Sequence, residues 1–392
     1  MRRLLNDLSA SAVVAGFVAV LVGYSSAVAI VFQAARALGA DAAQTASWMV
    51  ALGLAMGLSS IALSLRYRQP VLTAWSTPGA ALLAATQGVA LPEATGGFIV
   101  CALLIIAAGA TRGFERVMDR LPMAVAAALL AGVLARFGLD AVLSVRTAPL
   151  LVLVMSAAFL IGRRVWPRYA VPGVLAVGIA VAAAQGRIAL GGVDLSFSPL
   201  STLQWVTPRF SLAGMVGVAL PLFIVTMASQ NLPGVAAQRA AGYATPVSPV
   251  ITTTGVVTLL LAPFGAFAIN LAAITAAICM GREAHEDPAR RYPAAVMAGV
   301  FYLLIGAAGG AVAGLLAAFP RELVAAVAGL ALLGSIAGGL ATALRDEAHR
   351  DAAALTFLVT LSGLQMAGIG SAFWGVVAGS IALAVQHWRP IR

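Results

Sequence analysis

Long apolar runs follow one another along almost the whole chain, broken only by short clusters of arginine, acidic residues, glycine and proline. About 20 apolar residues make a helix that crosses the hydrocarbon core of a bilayer, so 392 residues built this way hold roughly twelve to fourteen crossings. With 61% hydrophobic and 10% charged residues, there are too few polar side chains to cover a water-soluble globule. The chain therefore reads as an all-α, multi-pass membrane protein with the lipid bilayer as its surroundings. A soluble enzyme held by one anchor is excluded.

Turn-forming and charged residues divide the sequence into apolar segments at 11–34, 45–65, 70–88, 95–111, 121–138, 145–162 and 169–185. A more polar stretch follows, and then segments at 213–235, 247–262, 264–281, 293–317, 321–342, 352–369 and 371–388. The first run is too long for a cleaved secretory signal and reads as a retained span. All 24 residues counted as Lys or Arg are arginine. Alternating the loops from a cytoplasmic N-terminus puts 18 of them inside and leaves Arg36, Arg136, Arg146, Arg187, Arg209 and Arg321 outside, which predicts that both termini are cytoplasmic. Scattered in this way, the arginines signal topology and give no basis for nucleic-acid binding. Cys101 and Cys279 lie inside apolar segments and read as buried thiols.

Seven segments in each half require that any structural repeat be inverted. Weak self-similarity fits this: Phe32-Gln-Ala-Ala-Arg-Ala-Leu-Gly-Ala resembles Val235-Ala-Ala-Gln-Arg-Ala-Ala-Gly-Tyr, and Leu121-Pro122 resembles Phe319-Pro320. The expected organisation is a first repeat at 1–190, a connecting loop at 191–212 and a second repeat at 213–392.

The third segment of each half carries the unusual chemistry. In the first, Ser76 and Thr77 precede Pro78, the pattern of a helix cap followed by proline in the first turn, after a short β-prone piece at 71–75. In the second, Pro263 and Gly265 break the helix and Asn270 is positioned to cap a new one. Segments 3 and 10 then each read as a short extended strand followed by a half-helix. Inverted topology would bring two positive helix starts to one cavity, where free backbone amides bind an anion. The alternative is that both prolines merely kink continuous helices.

Other polar groups at that depth are Tyr24, Ser25 and Ser26 in segment 1 and Gln230 and Asn231 in segment 8. Unpaired in hydrocarbon they would cost a few kcal/mol each, so they face protein or a cavity. For the serines, helix-helix hydrogen bonding explains the sequence as well as ligand contact does. The acidic residues and the histidines all fall in loops or at segment ends, and no metal-ligand cluster, phosphate loop or nucleophile-base pair occurs. The expectation is no catalytic residue, no metal and no cofactor.

Gly16-Phe-Val-Ala-Val-Leu-Val-Gly-Tyr-Ser-Ser, Pro70-Val-Leu-Thr-Ala-Trp-Ser-Thr-Pro-Gly-Ala and Pro263-Phe-Gly-Ala-Phe-Ala-Ile-Asn-Leu-Ala-Ala resemble the bacterial benzoate:proton symporter family. That family is similar in architecture to nucleobase:cation symporters and sulfate/bicarbonate transporters. The resemblance implies about fourteen spans in a seven-plus-seven inverted repeat, with a core domain from segments 1–4 and 8–11 and a gate domain from segments 5–7 and 12–14. It also implies a bacterial inner membrane location, and since relatives of this architecture are often dimers, it suggests a homodimer. In the nucleobase relatives carboxylates on spans 8 and 10 contact the substrate, whereas Gln230 and Asn270 occupy those positions here. Their neutrality suits an anionic substrate.

The expected activity is import of benzoate or a similar aromatic carboxylate with protons, by movement of core against gate. The carboxylate would sit between Ser76, Thr77 and Gly79 on one side and Asn270, Leu271 and Ala272 on the other. Tyr24, Trp75 and Phe267 would flank the ring, and Gln230 would hydrogen-bond the substrate or the capping backbone. Two alternatives remain: transport of another small anion or a nucleobase on the same fold, or, from a different class, a passive channel.

Overall fold

The computed structural model describes residues 4, 7–86, 88–166, 169–188, 203–308, 319–364, 366 and 371–387. Most of the connecting loop expected at 191–212 lies outside these residues. The apolar runs become helices whose starts are set by local caps. Ser9 Oγ accepts from the Ala12 amide at the head of α1 (Ala10–Ala37). Asp41 and Gln44 form a reciprocal capping box at the head of α2 (Ala42–Tyr67), with bonds of 2.8 and 3.0 Å.

Strand β1 (Thr73–Trp75) and helix α3 (Thr77–Ala85) follow, then α4 (Leu91–Ala110), the short α5 (Gly113–Asp119), α6 (Met123–Leu143), α7 (Pro149–Val165) and α8 (Ala170–Ala184). The second half runs through α9 (Leu212–Ala240), α10 (Val247–Leu261), β2 (Ile269–Leu271), α11 (Ile274–Met280), α12 (Tyr292–Ala308), α13 (Arg321–Arg345), α14 (Arg350–Leu361) and α15 (Ser371–His387). Among the described residues, six helices are long and apolar enough to cross a membrane: α2, α4, α6 with its 3-10 extension, α9, α10 with its 3-10 extension, and α13. On α7, Leu150, Leu153, Leu160 and Ile161 are each more than half exposed, an apolar face suited to lipid.

Helix α9 is widened into π-helix twice, at Met215–Ala219 and Met227–Asn231. Each stretch runs into a Leu-Pro pair, Leu220-Pro221 and Leu232-Pro233. Proline has no amide hydrogen and its ring crowds the carbonyl four residues earlier, so local widening relieves a clash that would otherwise break the helix.

The main contacts between elements fall both across the two halves and within each. Helix α2 packs on α12 and α4 on α10; α7 packs on α8 and α14 on α15; α6 packs along α13. The α2–α12 crossing is close because both helices present glycine: a Cβ on Gly53 would lie 2.7 Å from the Cα of Gly306. At the end of α10, Gly265 turns the chain with φ of +103°, where an added Cβ would run into the Trp48 indole.

β1 and β2 form a two-stranded antiparallel ladder pairing Thr73 with Leu271, Ala74 with Asn270 and Trp75 with Ile269. Both strands are buried, so every backbone group outside the ladder needs a partner. Serines of α2 supply them for β1. Ser60 Oγ accepts from the Thr73 amide at 3.0 Å, Ser64 Oγ exchanges bonds with both Val71 backbone groups, and Thr73 Oγ1 lies 2.7 Å from Ser59 Oγ. For β2, Thr258 Oγ1 accepts from the Ile269 amide at 3.0 Å and Asn231 Oδ1 from the Leu271 amide at 2.9 Å.

Candidate substrate cavity

Ser76 ends β1 and caps α3, its Oγ accepting from the Gly79 amide at 3.1 Å and from Thr226 Oγ1 at 3.1 Å. The first intrahelical bond of α3 comes from Ala80, and Pro78 has no amide hydrogen. The Thr77 amide therefore heads the helix without an intrahelical acceptor. In α11 the first intrahelical bond runs from Ala277 to Ala273, so the amides of Ile274 and Thr275 head that helix in the same way.

These residues converge. Thr77, Ala273, Ile274 and Thr275 line one cavity together with Tyr24, Trp75, Tyr302 and Gln230, enclosing about 530 Å³ of space with its mouth included. Three aromatic side chains form a continuous wall. The Tyr24 and Trp75 rings meet edge to face at 4.8 Å, and Tyr302 lies 5.9 Å from Tyr24. The Tyr24 hydroxyl is buried and has no hydrogen-bond partner among the described residues. Among the described residues no carboxylate or guanidinium lines this cavity, and its polarity comes from hydroxyls, the Gln230 amide and helix-start amides.

Of the residues expected from sequence to meet the substrate, the structure brings Tyr24, Trp75, Thr77, Gln230 and Ala272 to this cavity. Ser76 and Gly79 sit behind it. Ser76 is spent on capping, and a Cβ on Gly79 would meet the Leu222 side chain. Asn231 turns away to hold β2, donating to Met227 Sδ at 3.1 Å besides accepting from Leu271. Ser25 and Ser26 lie within α1, but their side chains fall outside the described residues.

Two expectations are corrected. Asn270 does not cap the second half-helix: it lies in β2 opposite Ala74, and α11 starts at Ile274 with Ala273 as its uncharged cap. Pairing with β1 keeps residues 269–271 extended, which delays the helix. The Asn270 Nδ2 donates to the Ala268 carbonyl at 3.2 Å, while its buried Oδ1 has no partner. Leu271 is likewise a strand residue. Phe267 does not flank the cavity: its ring packs 5.5 Å from Trp48 and 6.1 Å from Phe98 in a separate aromatic cluster.

Sequence reasoning missed Met56, Phe137, Thr275 and Tyr302, all in the cavity wall. Tyr302, in the middle of an apolar helix, was the legible signal, because a phenol at bilayer depth needs a polar neighbour. The serines at 59, 60 and 64 on one stretch of α2 also marked where a non-helical segment would dock.

Residues 6–385 match the family described as benzoate membrane transport protein. The chain belongs to this family. Its relatives include Inner membrane protein YdcO of Escherichia coli (strain K12), 51% identical over 374 residues that make up 95% of each chain. Benzoate membrane transport protein of Acinetobacter baylyi (strain ATCC 33305 / BD413 / ADP1) is 39% identical over 383 residues, 97% of this chain and 96% of its own. Among solved structures, the transmembrane domain of the cyanobacterium bicarbonate transporter BicA superposes with a TM-score of 0.43 at 13% identity, covering 95% of this chain and 97% of that one. Family membership agrees with the resemblance carried by the runs at 16–26, 70–80 and 263–273.

Proposed function

We propose that this protein is a secondary transporter that imports benzoate or a similar aromatic monocarboxylate together with protons. The observation that carries the reading is the cavity itself, with an aromatic wall of Tyr24, Trp75 and Tyr302 facing the unpaired amides of Thr77, Ile274 and Thr275. A flat apolar ring fits the first and a carboxylate the second, with the Tyr24 hydroxyl and Gln230 as further donors. The name of the Acinetobacter relative supports benzoate as the cargo.

The same reading assigns fourteen membrane segments. These are α1, α2, β1–α3, α4, α6, α7 and α8 in the first half, and α9, α10, β2–α11, α12, α13, α14 and α15 in the second. The contact of segment 2 with 11 then corresponds to that of 9 with 4, segments 6 and 7 correspond to 13 and 14, and the 5–12 and β1–β2 contacts map onto themselves. An inverted repeat produces this pattern. Segments 1–4 and 8–11 form a core holding the cavity, and segments 5–7 and 12–14 form the gate against which it moves, with both termini cytoplasmic.

The test is uptake of radiolabelled benzoate into proteoliposomes, with and without an inward proton gradient. Accumulation above the external concentration only under the gradient is the expected result. Flux that merely equilibrates would indicate a passive pathway and overturn the coupling. Absence of flux from folded protein would overturn the cargo.

A further inference from the structure

A second cavity lies at the other end of α11. The start of that seven-residue helix lines the aromatic cavity, whereas its last turn, with Ala277 and Met280, lines a vestibule of about 1010 Å³, mouth included. The opposite walls are small residues of α9 and α13, among them Ala237, Gly334 and Gly338, which leave room instead of filling it.

The charges around this space are unbalanced. Arg163 at the end of α7, Arg282 just after α11, and Arg291 all line it, against one carboxylate among the described residues, Glu283. Arg291 is only 7% exposed, and among the described residues none of the three arginines belongs to an ion pair with a carboxylate. Arg163 and Arg282 are exposed at this space, so their charges are free to attract an anion that enters it.

Arg291 also removes an obstacle. The last carbonyls of a helix carry partial negative charge and would repel an anion approaching α11 from this side. Arg291 covers them, its Nη1 donating to the Met280 carbonyl at 2.7 Å, with Nε and Nη2 on the carbonyls of His285 and Glu286.

We propose that the vestibule is a second binding site for the transported carboxylate, held between Arg163 and Arg282, one helix length from the aromatic cavity. Arg163 belongs to the proposed gate and Arg282 to the proposed core, so the bound anion bridges the two bodies. The choice of an aromatic monocarboxylate as occupant rests on the transport reading above; the charge argument stands without it.

Equilibrium binding of radiolabelled benzoate to the purified protein tests the site. Two classes are expected per chain: a tighter one insensitive to salt, and a weaker one that loses about tenfold in affinity between low and high ionic strength, because its charges are screened. Arg163→Gln/Arg282→Gln should abolish the weaker class and leave the tighter one, and Arg163→Lys/Arg282→Lys should restore it. A single, salt-insensitive class in the wild-type protein, or a weaker class that survives the glutamine pair or ignores salt, overturns the proposal. Should the glutamine pair fail to fold, the wild-type salt titration still decides. If only the weaker, salt-sensitive class is found, the aromatic cavity fails as the substrate site while the vestibule stands.

Discussion

At the scale of single residues, the cavity depends on which polar groups are already spent. Ser76 and Asn231 look like ligands from their depth and chemistry, yet each satisfies backbone that the broken segments leave open. Tyr24 is the opposite case, buried with a hydroxyl that finds no partner among the described residues. A hydrogen bond to a charged group contributes about 1.5–3 kcal/mol. Tyr24→Phe should therefore weaken benzoate binding roughly tenfold or more, by the usual 1.4 kcal/mol per decade. Its thermal midpoint should stay at or above that of the wild type, since no protein bond is lost. Unchanged affinity would remove the hydroxyl from the site.

At the scale of elements, the two short strands exist because neighbouring helices answer their backbone. Ser60 and Ser64 on α2 serve the backbone of Thr73 and Val71, Ser59 holds the Thr73 hydroxyl, and Thr258 and Asn231 serve β2. The ladder then sets where each half-helix begins. The Ser-Thr-Pro sequence identified the start of α3 because a cap acts locally, within three residues. The start of α11 was not legible, because pairing with a strand almost 200 residues away decides it. Close helix crossings provide another test. Gly53→Val places a side chain where Gly306 already packs, and overpacking of this kind costs about 1–3 kcal/mol. A lower thermal midpoint and a reduced yield of folded protein in detergent are expected. Gly173→Ala on α8, where an added methyl meets nothing within 4 Å, should leave both unchanged.

At the scale of the whole molecule, the aromatic cavity is walled mostly by α1, α2, β1–α3, α9, β2–α11 and α12, and α6 adds only Phe137 among the described residues. The vestibule, in contrast, draws on both proposed bodies. Glu283 reaches across it, with Oε1 3.6 Å from where a Cβ on Gly334 of α13 would stand. In a background with Cys101 and Cys279 replaced, a cleavable thiol cross-linker joining Glu283→Cys to Gly334→Cys should stop benzoate uptake, and cleavage should restore it. Uptake that continues through a complete cross-link would contradict movement of core against gate. The sequence by itself determined that this chain is a membrane protein built of apolar helices and that a cap at Ser76 starts α3, because hydropathy and caps act over a few residues. Only the tertiary structure decided that Phe267 and Asn270 pack away from the cavity while Tyr302 and Thr275 line it, and that Arg163 from the end of α7 shares one vestibule with Arg282 and Arg291 from the α11–α12 connection. Which face of an apolar helix meets a cavity depends on packing between distant segments, and in a chain this uniformly apolar no periodic pattern records that choice.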